Sequence, residues 1–596
     1  MDNRIKNDEA NIRNESLDSA DAENKRNFAQ TVSKFFKNFI KKIRFSFASA
    51  CEESAVVKII DNLYNVFLHC NTRFLAVFLT AFSVSSLLVN YLLVFNGIDF
   101  LFNTETIIAL ALLLIGIILF TTKKTIGELL SSGKILSQLT IVYSQHAIIS
   151  FDNIEKKPTI HTSAIFSGII FGILSVAFPI SSILLFLTSL IYFVFILNKP
   201  ECGLALSICA FAFTDSHFIL IVSVFTFVAL IYKYLRCKRH IDFNPMIAVM
   251  IVTSIYFVFR GYFTQSGSRS IIDTLSYLAF ILTCIATVSL ITSTSIMNRS
   301  IRLIVIISRL YTIIFLGYYV SLIVFSPFKV NAFIEHFYLT GISEAITNIS
   351  FFAPFLALMI PLNFATMVAS KNATGFIKSI IYVILMLLCT TVVSSFAYTL
   401  VMLVACIVIL FVYNKKFLLL LLPAPFAAYL IVKFYEFLPD AYSVSAFTNN
   451  NTVSESSIEL LKNNVVFGVG IGKQNLYSLI SSAEAHVNSS VLDLILKIGI
   501  IGFILIMAVI VFMVVKNIVF IITCDPAQSY KVRIMSAGIL ASTLTFVTNC
   551  FYMDCLFDFR IVFLFSLIMS LGYVSGKCIE SDYIDDTMVR EYKQFN

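Results

Sequence analysis

The spacing of its apolar runs governs what this chain can become. A helix crossing a bilayer needs ~20 consecutive apolar residues. Runs near that length recur at 74–96, 104–121, 162–178, 181–198, 203–214, 217–233, 244–260, 272–296, 303–325, 349–370, 376–394, 396–413, 417–436, 489–515, 533–551 and 560–576. The run at 203–214 is short, and residues 515–523 are apolar enough to prolong the one at 489–515. Of 596 residues, 58% are hydrophobic and only 13% charged, about half the charged share of a soluble chain. The expectation is an all-α, polytopic integral membrane protein with about 16 transmembrane helices, with membrane lipids as its surroundings and no nucleic-acid partner.

Positive charge orients such a chain, because Lys and Arg collect in cytoplasmic loops. The clusters Lys123-Lys124, Lys156-Lys157, Lys233 to Arg239, Arg299 with Arg302, Lys415-Lys416, and Lys531 with Arg533 all fall in even-numbered loops or at their edges. Both termini are therefore expected in the cytoplasm of a multi-pass cell-membrane protein, with the loop 437–488 outside. The first 73 residues are polar and charged overall, which does not suit a signal peptide. Within them, 1–28 has the mixed-charge composition of disorder. Over 29–47, Val32, Phe35, Phe36, Phe39, Ile40 and Ile43 recur at helical spacing between basic residues. That pattern fits a helix lying on an anionic inner leaflet, or equally one packed on the cytoplasmic side of the protein.

The chain thus divides into a cytoplasmic tail (1–73), a two-helix extension with its loop (74–160), a main transmembrane domain (161–576) and a C-terminal tail (577–596). In the outer loop, Thr452-Val-Ser-Glu455 has the form of a capping box ahead of a short helix reaching about Asn463. A second short helix is expected near 474–482.

The most informative stretch runs from Asn463 to Leu505: a polar loop carrying Gly468, Gly470 and Gly472, the tripeptide His486-Val-Asn488, and a long apolar helix. Phe467-Gly-Val-Gly470, a loop, His486 and a helix closing on Lys497-Ile-Gly-Ile-Ile-Gly502 resemble the signature of the O-antigen ligase-like superfamily. Its pattern is "GxG", a loop, "HN", then "LxxLxxxGxxG". The resemblance extends loosely over residues 160–576. It implies a C-type membrane glycosyltransferase-like fold that transfers a glycan from polyprenyl diphosphate to a hydroxyl of an acceptor glycan or lipid, in surface-polysaccharide polymerisation or ligation. Neither a cofactor nor a metal is implied. Counted back from Gly499, the superfamily's His-Asn pair falls on Asn488-Ser489; many relatives carry a "HxHN" version, of which the first histidine is kept here as His486 while the second position reads Asn488.

Family members bind the diphosphate with arginines, whose planar, always-charged fork fits phosphate oxygens. One usually stands in a turn matching Ser394-Ser395-Phe396-Ala397, and another near Asn449 to Thr452; both are absent here. The arginines remaining on the expected outer side are Arg260, Arg269 and Arg560. They are the candidates for diphosphate binding, unless they merely anchor span ends at the interface. His486 is the candidate general base, since imidazole titrates near neutral pH, and Asn488 can orient a hydroxyl but not take its proton. Asp493 and Lys497, four apart with the acid first, suit a helical ion pair.

Other readings compete. Gly468-Val-Gly470-Ile-Gly472-Lys473 is no nucleotide loop, because no strand precedes it and it lies outside; the glycines instead let the loop turn tightly. No histidine cluster, Asp-x-Asp or Cys-x-x-Cys suggests a metal. A superfamily relative without catalysis, or a flippase for lipid-linked oligosaccharide, would also be a multi-span protein. The sequence carries no signal for an oligomeric state. The charge distribution makes a direct prediction: a reporter active only outside the cytoplasm is active when fused after Asn450 and silent after Lys416. The opposite pattern would overturn the orientation.

Overall fold

A computed structural model describes residues 42, 45–51, 53–95, 104–122, 125–126, 128, 161–236, 245–262, 268–324, 349–370, 372–393, 396–414, 462, 464–471, 489–524, 526–551, 556 and 558–595. Among these residues there is no β-strand. The helices in order begin with α1 (Ala55–His69), α2 (Thr72–Phe95), α3 (Thr104–Phe120), α4 (His161–Ile173), α5 (Ile180–Asn198), α6 (Pro200–Ala210), α7 (Ser216–Leu235) and α8 (Pro245–Tyr262). They continue with α9 (Ser268–Leu290), α10 (Thr294–Val324), α11 (Ile349–Val368), α12 (Ala373–Val393), α13 (Phe396–Tyr413), α14 (Ser490–Thr523), α15 (Pro526–Cys550) and α16 (Phe559–Phe595).

Every apolar run read from the sequence falls on one of these helices except 417–436, which lies outside the described residues. Eight of the helices (α2, α7, α9, α10, α11, α12, α14 and α16) are long and apolar enough to cross a membrane. The physical reason for an all-helical chain is that lipid offers no partner for a backbone N–H or C=O, so each segment must satisfy its own. Large side chains such as Phe166, Ile170, Phe186, Ile255 and Ile522 stand exposed on the outside of the bundle. A surface of that kind is stable against acyl chains and not against water.

The core lies where helices are covered on all sides. Over their apolar windows α11 is 83% buried and α16 78%, against 28% for α12 and 33% for α2. Tyr311 of α10 packs edge-on against Phe351, Phe352 and Phe355 of α11, with ring centroids 5.1–5.8 Å apart. α15 is instructive because it falls short of the apolar criterion. Its Ser536, Ser542, Thr543, Thr545 and Asn549 are all buried, and helix–helix contacts within a membrane favour such small and polar residues over bulky ones.

Helix ends are stitched to one another in a consistent way. Thr122, just past α3, donates to the Thr72 hydroxyl at the start of α2 at 2.8 Å. At the opposite ends, the Glu105 carboxylate of α3 accepts the backbone N–H of Ile180, supplying one of the donors that the start of α5 leaves without an intrahelical partner. These contacts join ends that the alternation of spans assigns to the same side.

Two elements add to the sequence reading. α1 lies inside the segment taken as a tail. At 15 residues it is too short to span, and it docks by its side chains: Tyr64 and Phe67 meet the Phe195 ring edge-on at 5.2 and 5.5 Å. Asp61 accepts both Nη nitrogens of Arg236, at 3.3 and 2.9 Å. α16 continues past 576 to Phe595, with no proline to stop it. Most of the basic segment 29–47 and the short helices expected within 437–488 lie outside the described residues, save residues 42, 45–47 and 462.

The Asp61–Arg236 bond is two-pronged, and the Arg236 side chain is only 6% exposed. Charge-assisted bonds contribute about 1.5–3 kcal/mol. Asp61→Asn is therefore expected to release α1 and raise the rate of limited proteolysis between residues 50 and 70 by about tenfold, leaving the spans intact. An unchanged cleavage rate would show that the aromatic contacts alone hold α1.

Candidate functional site: a loop clasped into a broken helix

Ser489 caps the start of α14: its hydroxyl accepts from Leu492 N at 3.5 Å and donates to the Cys550 carbonyl at 3.4 Å. Ser490 accepts from Leu556 N at 3.1 Å. Ser489 is thus the N-cap of this helix, a role for which Ser is well suited. One turn on, Lys497 forms an ion pair with Asp493, each side chain 17% exposed, as the spacing suggested.

The long helix expected here is not continuous. Gly499 has φ 72° and ψ 176°, and the helical ladder stops there. In lipid the freed backbone groups need other partners, and the glycine loop provides them. Val469 N donates to Leu496 O at 2.7 Å and Gly470 N to Lys497 O at 3.0 Å. In return Ile500 N donates to Val465 O at 2.9 Å, with Ile501 N longer, at 3.5 Å, to Val466 O. The remaining carbonyl, of Ile498, accepts the Tyr256 hydroxyl at 2.6 Å.

Two glycines make this approach possible. Gly468, at φ 73°, lies so close that a Cβ there would stand 2.5 Å from Gly499 N. A Cβ on Gly499 would collide with the Val466 carbonyl. The "GxG" and "GxxG" halves of the motif are therefore two sides of one backbone clasp. α8 locks it from one face: Tyr256 and Arg260 are one turn apart, and an Nη of Arg260 donates to Gly468 O at 2.6 Å. On the exposed side of α8, Ser254, Ile255, Val258, Phe259 and Tyr262 line an apolar groove of about 450 Å³.

The structure thus brings Gly468, Gly470, Arg260, Asp493 and Lys497 together. Arg269 lies in the first turn of α9. Arg560 is placed differently from the expectation of an arginine facing a ligand or the interface. It is buried, bound through Nε and one Nη to Asp558, and its other Nη donates to Thr214 O at 3.2 Å. Its guanidinium carbon stands 4.1 Å from the centre of the Phe351 ring. His486, Asn488, Gly472 and Lys473 lie outside the described residues, with His486 three positions before the Ser489 cap in the chain. Phe396 and Ala397 open α13, and Ser394 and Ser395 lie outside the described residues.

Sequence reasoning missed Tyr256 and Asp558. The i, i+4 spacing of Tyr256 and Arg260 was legible, but nothing in the sequence says that their common face meets α14. Comparison of the chain with protein-family models and with curated proteins finds no match.

The clasp predicts how substitutions behave. Gly499→Ala forces a β-carbon into Val466 and into a backbone conformation costing about 1–3 kcal/mol by itself, so it is expected to detach the loop. Tyr256→Phe strands a carbonyl, at about 1–3 kcal/mol. The readout is alkylation of a cysteine placed at exposed Val466, which accelerates in both variants, more in Gly499→Ala. Equal rates in all three proteins would rule out the clasp.

Proposed function

We propose that the chain is a membrane glycosyltransferase of the O-antigen ligase-like class, transferring a glycan from polyprenyl diphosphate to an acceptor hydroxyl at the extracytoplasmic face. The observation that carries the reading is the clasp. The motif glycines, which the resemblance singles out, turn out to hold the loop 464–471 rigidly against the helix that begins just after His486 and Asn488. A fixed loop–helix junction at a span end is what a reaction between a lipid-borne donor and a water-borne acceptor needs.

In this reading about 16 helices cross the cell membrane, 417–436 among them, with both termini cytoplasmic. Arg260 sets a positive charge at the outer end of α8, held by the Gly468 carbonyl. The apolar groove runs along the same helix, so one helix offers features suited to a diphosphate and to its prenyl tail. Arg269, at the start of the following helix, is the second diphosphate candidate. Arg560 is assigned to holding the span end, because Asp558 already neutralises it. His486 takes the proton of the acceptor hydroxyl as its oxygen attacks the anomeric carbon. The bond to the diphosphate oxygen breaks on the opposite face, polyprenyl diphosphate leaves and the configuration inverts. Asn488 orients the hydroxyl.

One observation favours the competing reading, a relative that keeps the fold without catalysis: the buried Arg560 leaves fewer cations for a donor. Chain-length analysis of the cell-surface glycan separates the two. His486→Ala is expected to lower polymer formation by about 10²–10⁴-fold, the usual contribution of a general base, while lipid-linked units accumulate. Asn488→Ala should be milder, and Arg260→Ala should fall between. Unchanged glycan in all three, at matched protein abundance, would favour the non-catalytic relative.

A further inference from the structure

Arg309 differs from the other cations set among the helices. Lys497 and Arg560 each have a carboxylate. Arg309, at the midpoint of the 31-residue α10, has a shell of neutral groups drawn from two neighbouring helices. Its Nε donates to Asn363 Oδ1 at 2.9 Å, and one Nη donates to Thr366 Oγ1 at 3.2 Å and Ser379 Oγ at 3.0 Å. The guanidinium lies 4.9 Å from the centre of the Tyr382 ring. Among the described residues no carboxylate reaches it.

This shell is built rather than incidental. Asn363 is fully buried, and its Nδ2 donates to Ser308 Oγ at 3.2 Å and Met359 O at 3.0 Å, which turns its carbonyl oxygen towards Arg309. Thr366 gives its own proton to Asn363 O at 2.7 Å, leaving its oxygen to accept. A snorkelling arginine has a free tip that seeks water; this one is held in place by three side chains. The other Nη meets no acceptor among the described residues, and it is not one of the occluded unpartnered atoms. The arrangement orients a cation without neutralising it, and a charge kept in a membrane segment marks a functional site by default.

The surroundings say which anion fits. Ile306, Leu310 and Ile313 of α10 and Ile381 and Ile384 of α12 are exposed, so Arg309 opens on a lipid-facing seam. Arg302, two turns earlier on α10, and Lys378, beside Ser379, are exposed as well. Helical side chains lean towards the N-terminus, which carries the guanidinium back towards Arg302, and Thr366 stands two residues before α11 ends. The open edge of the guanidinium is thus near headgroup level. A planar fork beside a hydroxyl matches phosphate oxygens in shape and charge.

We infer that Arg309, with Ser379, forms a binding site for a phosphate oxyanion, that of an anionic lipid seated in the seam between α10 and α12. None of these residues belongs to the clasp, so the inference stands or falls separately from the proposed transferase activity.

The test uses the full-length protein in detergent, titrated with phosphatidylglycerol, phosphatidylcholine or inorganic phosphate, reading bound lipid by native mass spectrometry and Tm by thermal unfolding. Phosphatidylglycerol is expected to bind and raise Tm, and phosphatidylcholine to do neither. Arg309→Gln should weaken phosphatidylglycerol binding by about tenfold or more, and Arg309→Lys by less. Inorganic phosphate raising Tm in the wild type but not in Arg309→Gln would keep the oxyanion site and overturn the lipid as its source. Equal phosphatidylglycerol binding and equal phosphate response in wild type and Arg309→Gln would overturn the site. Should Arg309→Gln fail to fold, Ser379→Ala and Arg309→Lys decide: weakened binding in both supports the inference, and unchanged binding in both overturns it.

Discussion

The obligation of every backbone group to find a partner in a medium without water shapes this molecule more than any side-chain contact. Most of the chain meets it by remaining helical. At Gly499 it cannot, and five carbonyl and amide groups between Leu496 and Ile501 turn to the loop and to Tyr256. An unsatisfied group in hydrocarbon costs several kcal/mol, so the loop 464–471 is a structural part of α14. That makes the loop as well placed as the helix to which it is bound, which is the condition for holding reacting groups in register.

Charge follows a parallel logic. A cation among helices is tolerable when it has a partner, and the partner decides what it does. Asp558 converts Arg560 into a staple, and Asp493 does the same for Lys497. Arg260 donates to the Gly468 carbonyl and so helps to hold the loop. Arg309 rests on an amide and two hydroxyls, which bind it without cancelling its charge. Lys497 and Arg560 form neutral units with their carboxylates; Arg309 remains a source of positive potential.

Much of the architecture was legible because hydropathy is additive along a helix. The described apolar runs fall on helices, and the Asp493–Lys497 spacing became an ion pair. Helices whose burial comes from protein rather than lipid are less uniformly apolar: α15, on the run at 533–551, is rich in Ser and Thr, yet those residues are covered by other helices. α1 escaped because a 15-residue segment with Lys58 and Asp61 gives no span signal. The motif glycines were recognised as turn-formers, but their shared purpose was not visible, since neither half of the motif contains the other's hydrogen-bonding groups.

By itself, the sequence determined the helical class, the positions of the apolar segments, the alternation of charged loops and the glycines at 468, 470, 499 and 502. These follow from local composition and from one-dimensional periodicity. The tertiary structure alone decided that Gly499 breaks its helix, that Tyr256 and Arg260 close the break, and that Arg560 is spent on Asp558 while Arg309 is not spent on any acid among the described residues. The physical reason is common to all four. A residue's type sets which bonds it can make, but the partner is chosen by packing, whether it is two residues away, as Asp558 is from Arg560, or 242, as Ile498 is from Tyr256, and in lipid each group must take whichever partner the packing brings.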